Sequence, residues 1–170
     1  VAEFLRTSRM RREVIPPPYL KDRDIWDALL ADLPITAMIR TLGTMTSIGL
    51  ITRGSEAERH VVNELQSLQR LKASRVHPLS LLVALRVYEQ GHRKQGSLTW
   101  KASKRVINAL DEAFYLAFGA VEPMGKRLCV ALDVSGSMTR HTIAGLPLTP
   151  REAAAAMALV TVATEPNTRV

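Results

Sequence analysis

The sequence predicts a mixed fold: stacked helix pairs followed by the first strand, loop and helix of an α/β unit. Three observations carry this. Up to Phe118, apolar residues recur three and four positions apart, the period of helices with one buried face. At Leu128-Cys129-Val130-Ala131-Leu132 that period gives way to five apolar residues in a row, which reads as a strand buried on both faces. Pro123 and Gly125 punctuate the change. The expected organisation is therefore a helical part over 1–120, a linker over 121–125 and an α/β part over 126–170.

Taken in order, the first 13 residues carry Arg6, Arg9, Arg11 and Arg12 against Glu3 and Glu13, and Pro16-Pro17-Pro18 enforces an extended connector. Asp22 and Asp24 are acidic first-turn residues for a helix carrying Ile25, Trp26, Leu29, Leu30 and Leu33. Pro34 closes it and starts a second helix with the stripe Ile35, Met38, Ile39, Leu42 and Met45. Ser55-x-x-Glu58 is a capping box, and it opens a helix with Val61, Val62, Leu65, Leu68 and Leu71 on one face. Pro78 starts another, through Leu81, Leu82 and Leu85 to Gly91. The clearest helix runs from Lys101 to Phe118, with Val106, Ile107, Leu110, Ala113, Phe114 and Ala117 on its apolar side. Successive helices of this kind suggest pairs of the HEAT type. Near the end, Thr149-Pro150-Arg151-Glu152 is a second capping box, opening a helix from Ala153 to Thr164 whose small residues suit close packing on a sheet.

The strand at Leu128 leads into Asp133-Val134-Ser135-Gly136-Ser137. Ligands of α/β sheets gather at the carboxyl ends of strands, and here Asp133, Ser135 and Ser137 offer oxygen at alternate positions. One carboxylate and two hydroxyls suit a hard divalent ion, Mg²⁺ before Zn²⁺, with water completing the shell. A polar turn after a strand is the plainer alternative.

The Asp-x-Ser-x-Ser pattern resembles the metal-ion-dependent adhesion site of von Willebrand factor type A domains, which are Rossmann-like α/β folds. Leu33-Pro34-Ile35-Thr36-Ala37-Met38-Ile39-Arg40-Thr41-Leu42-Gly43-Thr44-Met45-Thr46, Arg75-Val76-His77-Pro78, Tyr88-Glu89-Gln90-Gly91-His92, Ala109-Leu110-Asp111-Glu112-Ala113-Phe114-Tyr115 and Val121-Glu122-Pro123-Met124-Gly125 precede it in order. Together they resemble the Ro autoantigen, or TROVE-domain, family. That resemblance implies a piece of a longer protein: the end of a ring of HEAT-like helical repeats, then the start of a type A domain. It also implies binding of small noncoding Y-type RNA and of misfolded RNA ends, in ribonucleoprotein particles that serve RNA quality control, without catalysis. The family's metal site maps onto Asp133, Ser135 and Ser137 only. Its remaining ligands come from later loops. The rival reading is a metal-dependent adhesion or scaffold module that takes an acidic side chain of a protein partner and binds no RNA.

Charge agrees with a polyanionic partner. The formal net charge is +7, and basic side chains gain by displacing counterions condensed on phosphates. The densest basic stretch holds Arg86, Arg93, Lys94, Lys101, Lys104 and Arg105 against Glu89, with His92 and Trp100 in the loop between. Trp100 or His92 could stack on an unpaired base, and Trp100 could equally be a hydrophobic staple for the helix that follows. Arg75 and His77 form a second cluster at a helix C-terminus, and Arg40 lies beside Thr41, Thr44 and Thr46. Arg40, Arg75, His77, His92, Arg93, Lys94, Lys101 and Lys104 are thus the candidate RNA contacts, each with a solvated-surface alternative.

Other classes find little support. The four histidines show no ligand spacing. Ser135 stands where an aspartyl phosphotransferase loop wants a second acid, and the glycine-x-serine-x-glycine frame of a nucleophile elbow is missing. Cys129 is the one cysteine, expected as a small buried thiol in a reducing, cytoplasmic setting. No apolar run approaches membrane-spanning length, so no membrane partner is expected.

Overall fold

Capping side chains decide where most helices begin. In the computed structural model, which describes residues 12–93 and 96–170, two 3-10 turns, Arg12–Val14 and Pro17–Lys21, lead into α1 (Arg23–Leu30). The Asp22 carboxylate caps α1 by accepting the Asp24 N–H at 2.8 Å. Trp26, fully buried, donates its indole N–H to Leu20 O at 2.8 Å and lies under the Arg12 guanidinium. Next come α2 (Ile35–Ser47), α3 (Glu56–Leu65), α4 (Leu68–Ser74), α5 (Pro78–Glu89) and α6 (Lys104–Leu116). A 3-10 turn, Ala117–Ala120, ends the helical part.

Several limits differ from expectation, and Pro17–Lys21 winds into a 3-10 turn where the prolines suggested an extended connector. The stretch from Ser55 to Leu71 is two helices, because Ser67 turns extended and its hydroxyl accepts the Arg70 N–H, starting a new N-terminus. Leu68 consequently stays exposed and outside the core. The helix expected from Lys101 begins at Lys104, because Ser103 takes the cap and leaves Lys101 and Ala102 in the preceding loop.

The core is a seam between neighbouring helices. α5 packs on α6 and α2, while α3 and α4 pack on α6. Val61, Leu65, Leu71, Leu81, Val106, Leu110 and Ala113 are fully buried there.

Inside this apolar seam lies a polar chain that ties four helices together. Tyr88 Oη pairs with Thr46 Oγ1 at 2.9 Å and accepts the Ser103 N–H at 3.2 Å. The Ser103 hydroxyl donates to Glu58 Oε1 at 2.5 Å, and Glu58 Oε2 accepts the Gly54 N–H at 2.7 Å. The Ser55 hydroxyl accepts the Glu58 N–H as the capping box requires, but the Glu58 carboxylate reaches one residue further back than Ser55. A buried carboxylate must have partners, and Glu58, with no exposed surface, has three in Ser103, Gly54 and Arg105.

After Val121 the chain runs to β1 (Leu128–Cys129), the short helix α7 (Ser137–Arg140), α8 (Pro150–Thr164) and β2 (Thr168–Arg169). The strands pair in parallel, Leu128 with Thr168 and Cys129 with Arg169, so that β1, α8 and β2 form a βαβ unit. The capping box of α8 is complete: Thr149 Oγ1 accepts the Glu152 N–H at 3.2 Å, and Glu152 Oε2 accepts the Thr149 N–H at 2.9 Å.

The strand itself is shorter and wetter than expected. Ladder pairing covers Leu128 and Cys129, extended by the Val130 N–H donating to Arg169 O. Leu128, Val130 and Leu132 are half-buried, whereas Cys129 and Ala131 are exposed. The expectation of a strand buried on both faces, with a buried thiol, is thus not met. A two-stranded sheet with a helix on one side leaves alternate side chains in water, and Cys129 is one of them.

α8 serves both halves. It packs on β2, but Ala156 and Val160 enter the helical core, through contacts with α5 and the Ala117–Ala120 turn. Arg86 of α5 adds an ion pair to Glu152 of α8 at 3.5 Å. At the end of α8 the buried Glu165 carboxylate accepts the Met124 N–H at 2.5 Å and the Gly125 N–H at 3.1 Å. The connector between the halves is held at that point.

Candidate functional site

The loop after β1 brings its three oxygen-bearing residues together. The Asp133 carboxylate accepts the Ser135 N–H at 2.8 Å, an Asx-type turn that folds the loop on itself. The Ser135 and Ser137 hydroxyls meet at 2.8 Å, and all three residues are exposed. The Ser135 N–H, then its hydroxyl, and the Arg151 charge hold the Asp133 carboxyl below its ordinary value, so it is ionised at neutral pH. One carboxylate and two hydroxyls form a donor set that fits a hard cation carrying several waters. Among the described residues no group of three His, Cys, Asp or Glu side chains is placed to hold a metal ion.

Sequence reasoning missed Arg151. Its guanidinium, projecting from the first turn of α8, donates to the carbonyls of Val134 and Ser135 and so latches the loop to the helix. Arg151 stands inside the capping box, where only its neighbours drew notice; nothing in its spacing points back to residue 134.

The basic candidates divide. Arg40 and His77 line one groove, and Arg40 and Arg93 line an adjoining recess. His77 caps α5, its Nδ1 accepting the Leu79 N–H at 3.1 Å, which leaves Nε2 as the ring's donor. Arg75 is the C-cap of α4 in the left-handed conformation, φ 49° and ψ 36°, with its side chain exposed. His92 is held in an antiparallel bridge to Thr99, with Nδ1 at 2.9 Å from Gln90 O. Lys101 and Lys104 are exposed beside the start of α6. Lys94 lies outside the described residues.

Trp100 is not a free stacking platform. Its indole N–H donates to Tyr88 O at 2.8 Å, its ring stacks on Tyr88, and it presses against Gly43 so closely that a Cβ there would lie 2.7 Å from the ring. The loop from Gly91 is accordingly a hairpin, closed at its base by the Trp100 N–H donating to Gly91 O at 2.8 Å.

Comparison with known proteins covers both halves. The TROVE domain family matches residues 7–86, and the Ro60 vWA domain family matches residues 127–170. The chain is 41% identical to the RNA-binding protein RO60 of Caenorhabditis elegans over 93% of its own length and 24% of that protein. It is 40% identical to the RNA-binding protein RO60 of Deinococcus radiodurans over 98% of this chain and 32% of the relative. The chain therefore spans about a quarter to a third of the curated relatives it matches. The crystal structure of the Deinococcus radiodurans RO (RSR) protein superposes with a TM-score of 0.90 at 40% identity, covering 98% of this chain and 34% of that one.

Proposed function

We propose, since the chain belongs to the Ro family of TROVE-domain proteins, that it forms part of a Ro-type RNA-binding protein. The observation that carries this reading is the joint match of both halves, in order, to proteins named as RNA-binding. The net charge of +7 and the placing of Arg40, His77 and Arg93 on two adjoining openings support it. In this reading the ligands are small noncoding Y-like RNA and the ends of misfolded RNA, bound by shape and backbone in cytoplasmic ribonucleoprotein particles of RNA quality control. No catalytic step is needed.

The full-length protein with Arg93, Lys94, Lys101 and Lys104 replaced together by glutamine should bind RNA more weakly. Its affinity should also fall less steeply with salt, by about 0.7 in the log–log slope per lost single-strand phosphate contact. An unchanged slope would remove this stretch from the RNA surface.

The second part of the proposal is a divalent cation, Mg²⁺ first, on Asp133, Ser135 and Ser137. The ionised carboxylate and the paired hydroxyls support it. Bound there, the ion would offer an open position to an acidic group of a protein partner. Asp133→Ala should abolish Mg²⁺ uptake measured by titration calorimetry and leave RNA affinity intact; loss of RNA binding instead would tie the ion to RNA.

A further inference from the structure

The basic hairpin that opens at Gly91 has little of its own to fix its direction. Its two arms are joined by the Arg93 N–H donating to Leu98 O at 3.0 Å, the Trp100 N–H donating to Gly91 O at 2.8 Å and the bridge between His92 and Thr99. A lone two-stranded hairpin is marginally stable at best in water. Its orientation on the helices must therefore come from packing, and among its described residues Trp100 is the one that joins the hydrophobic core.

Trp100 is gripped from two helices. On α5, its ring stacks on Tyr88 with centroids 6.3 Å apart, and its indole N–H donates to Tyr88 O at 2.8 Å. On α2, Gly43 is bare where the indole lies, and a Cβ there would stand 2.7 Å from the ring. Tyr88 is itself held, since its hydroxyl pairs with Thr46 Oγ1 of α2 and accepts the Ser103 N–H. The indole thus ties a loop that carries charge to partners fixed by the core.

That charge reaches α2 at one place. Arg93 of the hairpin and Arg40 of α2 line one recess of about 30 Å³, whose walls include Gly43, Tyr88 and Trp100. So small a space means that hairpin and helix are packed against each other. No Asp or Glu lines the recess among the described residues. Like charges brought to one recess repel each other, so the scaffold must enforce the arrangement, and a phosphate there would offset its cost.

We propose that Trp100 is the positioning residue of this hairpin: its seat between Gly43 and Tyr88 holds Arg93 at the recess shared with Arg40, where Arg93 meets an RNA phosphate. The proposal rests on the RNA-binding reading above and adds to it an uncharged residue that governs how many phosphates are met.

The test is fluorescence anisotropy with the full-length protein and a labelled RNA stem–loop bearing a single-stranded tail, over a salt range of about 50 to 200 mM. Arg93→Gln should reduce the slope of log affinity against log salt by about 0.7–0.9, the share of one phosphate contact. Trp100→Ala removes no charge, yet it should reduce the slope equally and weaken binding about fivefold at roughly 0.1 M salt, which is what such a slope contributes between roughly 1 M and 0.1 M. In the Trp100→Ala background Arg93→Gln should then add nothing. A merely structural role for the indole would lower Tm and leave the slope alone.

If Trp100→Ala keeps the wild-type slope while Arg93→Gln lowers it, or if the two reductions add, the positioning role falls and the RNA reading stands. If Arg93→Gln changes nothing in the wild type, the hairpin meets no phosphate through Arg93 and the proposal falls in the same way. A wild type that binds no RNA removes both. Should Trp100→Ala fail to fold by circular dichroism, Gly43→Ala displaces the indole from the α2 side, again without touching a charge; a reduced slope supports the seat and an unchanged one overturns it.

Discussion

Replacing Glu58 by glutamine should cost the protein about 2 kcal/mol at neutral pH, and the cost should vanish in acid. The side chain has no exposed surface, and its two oxygens accept from the Ser103 hydroxyl and the Gly54 N–H. Hydrogen bonds to a charged group contribute about 1.5–3 kcal/mol each. Glutamine keeps one acceptor oxygen, so about one such bond is lost. Arg105 is 3.7 Å away but over half exposed, and water screens its contribution to a few tenths of a kcal/mol. Burial pushes the Glu58 carboxyl up, but the Ser103 hydroxyl, the Gly54 N–H and the charges of Arg105 and Arg53 together bring it below its ordinary value. A carboxyl lowered on folding stabilises fully above its unfolded value, about 4.3, and loses that contribution as pH falls through the folded one. Urea unfolding followed by circular dichroism should therefore show a constant gap between wild type and Glu58→Gln from pH 7 to about 5, closing below. At pH 7 the gap corresponds to about 4–8 °C in Tm. A gap that stays constant or widens toward pH 3 would refute the argument that the charged carboxylate holds α3 to α6.

Other substitutions test other contacts. Gly43→Ala should cost about 1–3 kcal/mol, since the new Cβ would sit 2.7 Å from Trp100 and must push the indole away; tryptophan fluorescence should shift to the red. Arg75→Gly should raise stability by a few tenths to about 1 kcal/mol in urea melts, because the left-handed conformation at φ 49° costs an L side chain more than glycine's extra chain entropy. Glu165→Ala should speed hydrogen exchange at the Met124 and Gly125 amides while the amides of α6 keep their protection. Arg151→Met should leave the fold intact and weaken Mg²⁺ uptake if the latch on Val134 and Ser135 orders the loop, or strengthen it if the positive charge matters more; no change would mean the loop holds its shape through Asp133 and the serines alone.

Much of this architecture is legible because it is local. The stripe of α2, the cap at Thr149 and the turn from apolar strand to Asp133 are set by residues within a few positions of each other, and the structure has all three. What escaped depends on distant partners. Ser67 looks like a polar residue within one helix until its cap splits the run into α3 and α4. Glu58 reads as half of a capping box, yet its burial is decided by Ser103, far along the chain. Trp100 offers an aromatic next to basic residues, and only the close approach of Gly43 shows that the ring is already occupied. Cys129 sits in an apolar run, but burial on a second face requires a layer that the described residues do not supply. The oxygen loop was readable as a cluster of donors, whereas Arg151 was not, because guanidinium reach cannot be inferred from the spacing of a helix cap.

Ala156 and Val160 of α8 have a consequence for anyone who wishes to divide the polypeptide. The chemically obvious place to cut is the proline and glycine stretch after Val121, but α8 wedges its small side chains into the helices on the other side of that cut. Severing the covalent thread leaves this solvophobic weld in place. The two pieces should travel through a sizing column together, and either one expressed alone would carry a greasy wound where its neighbour had been.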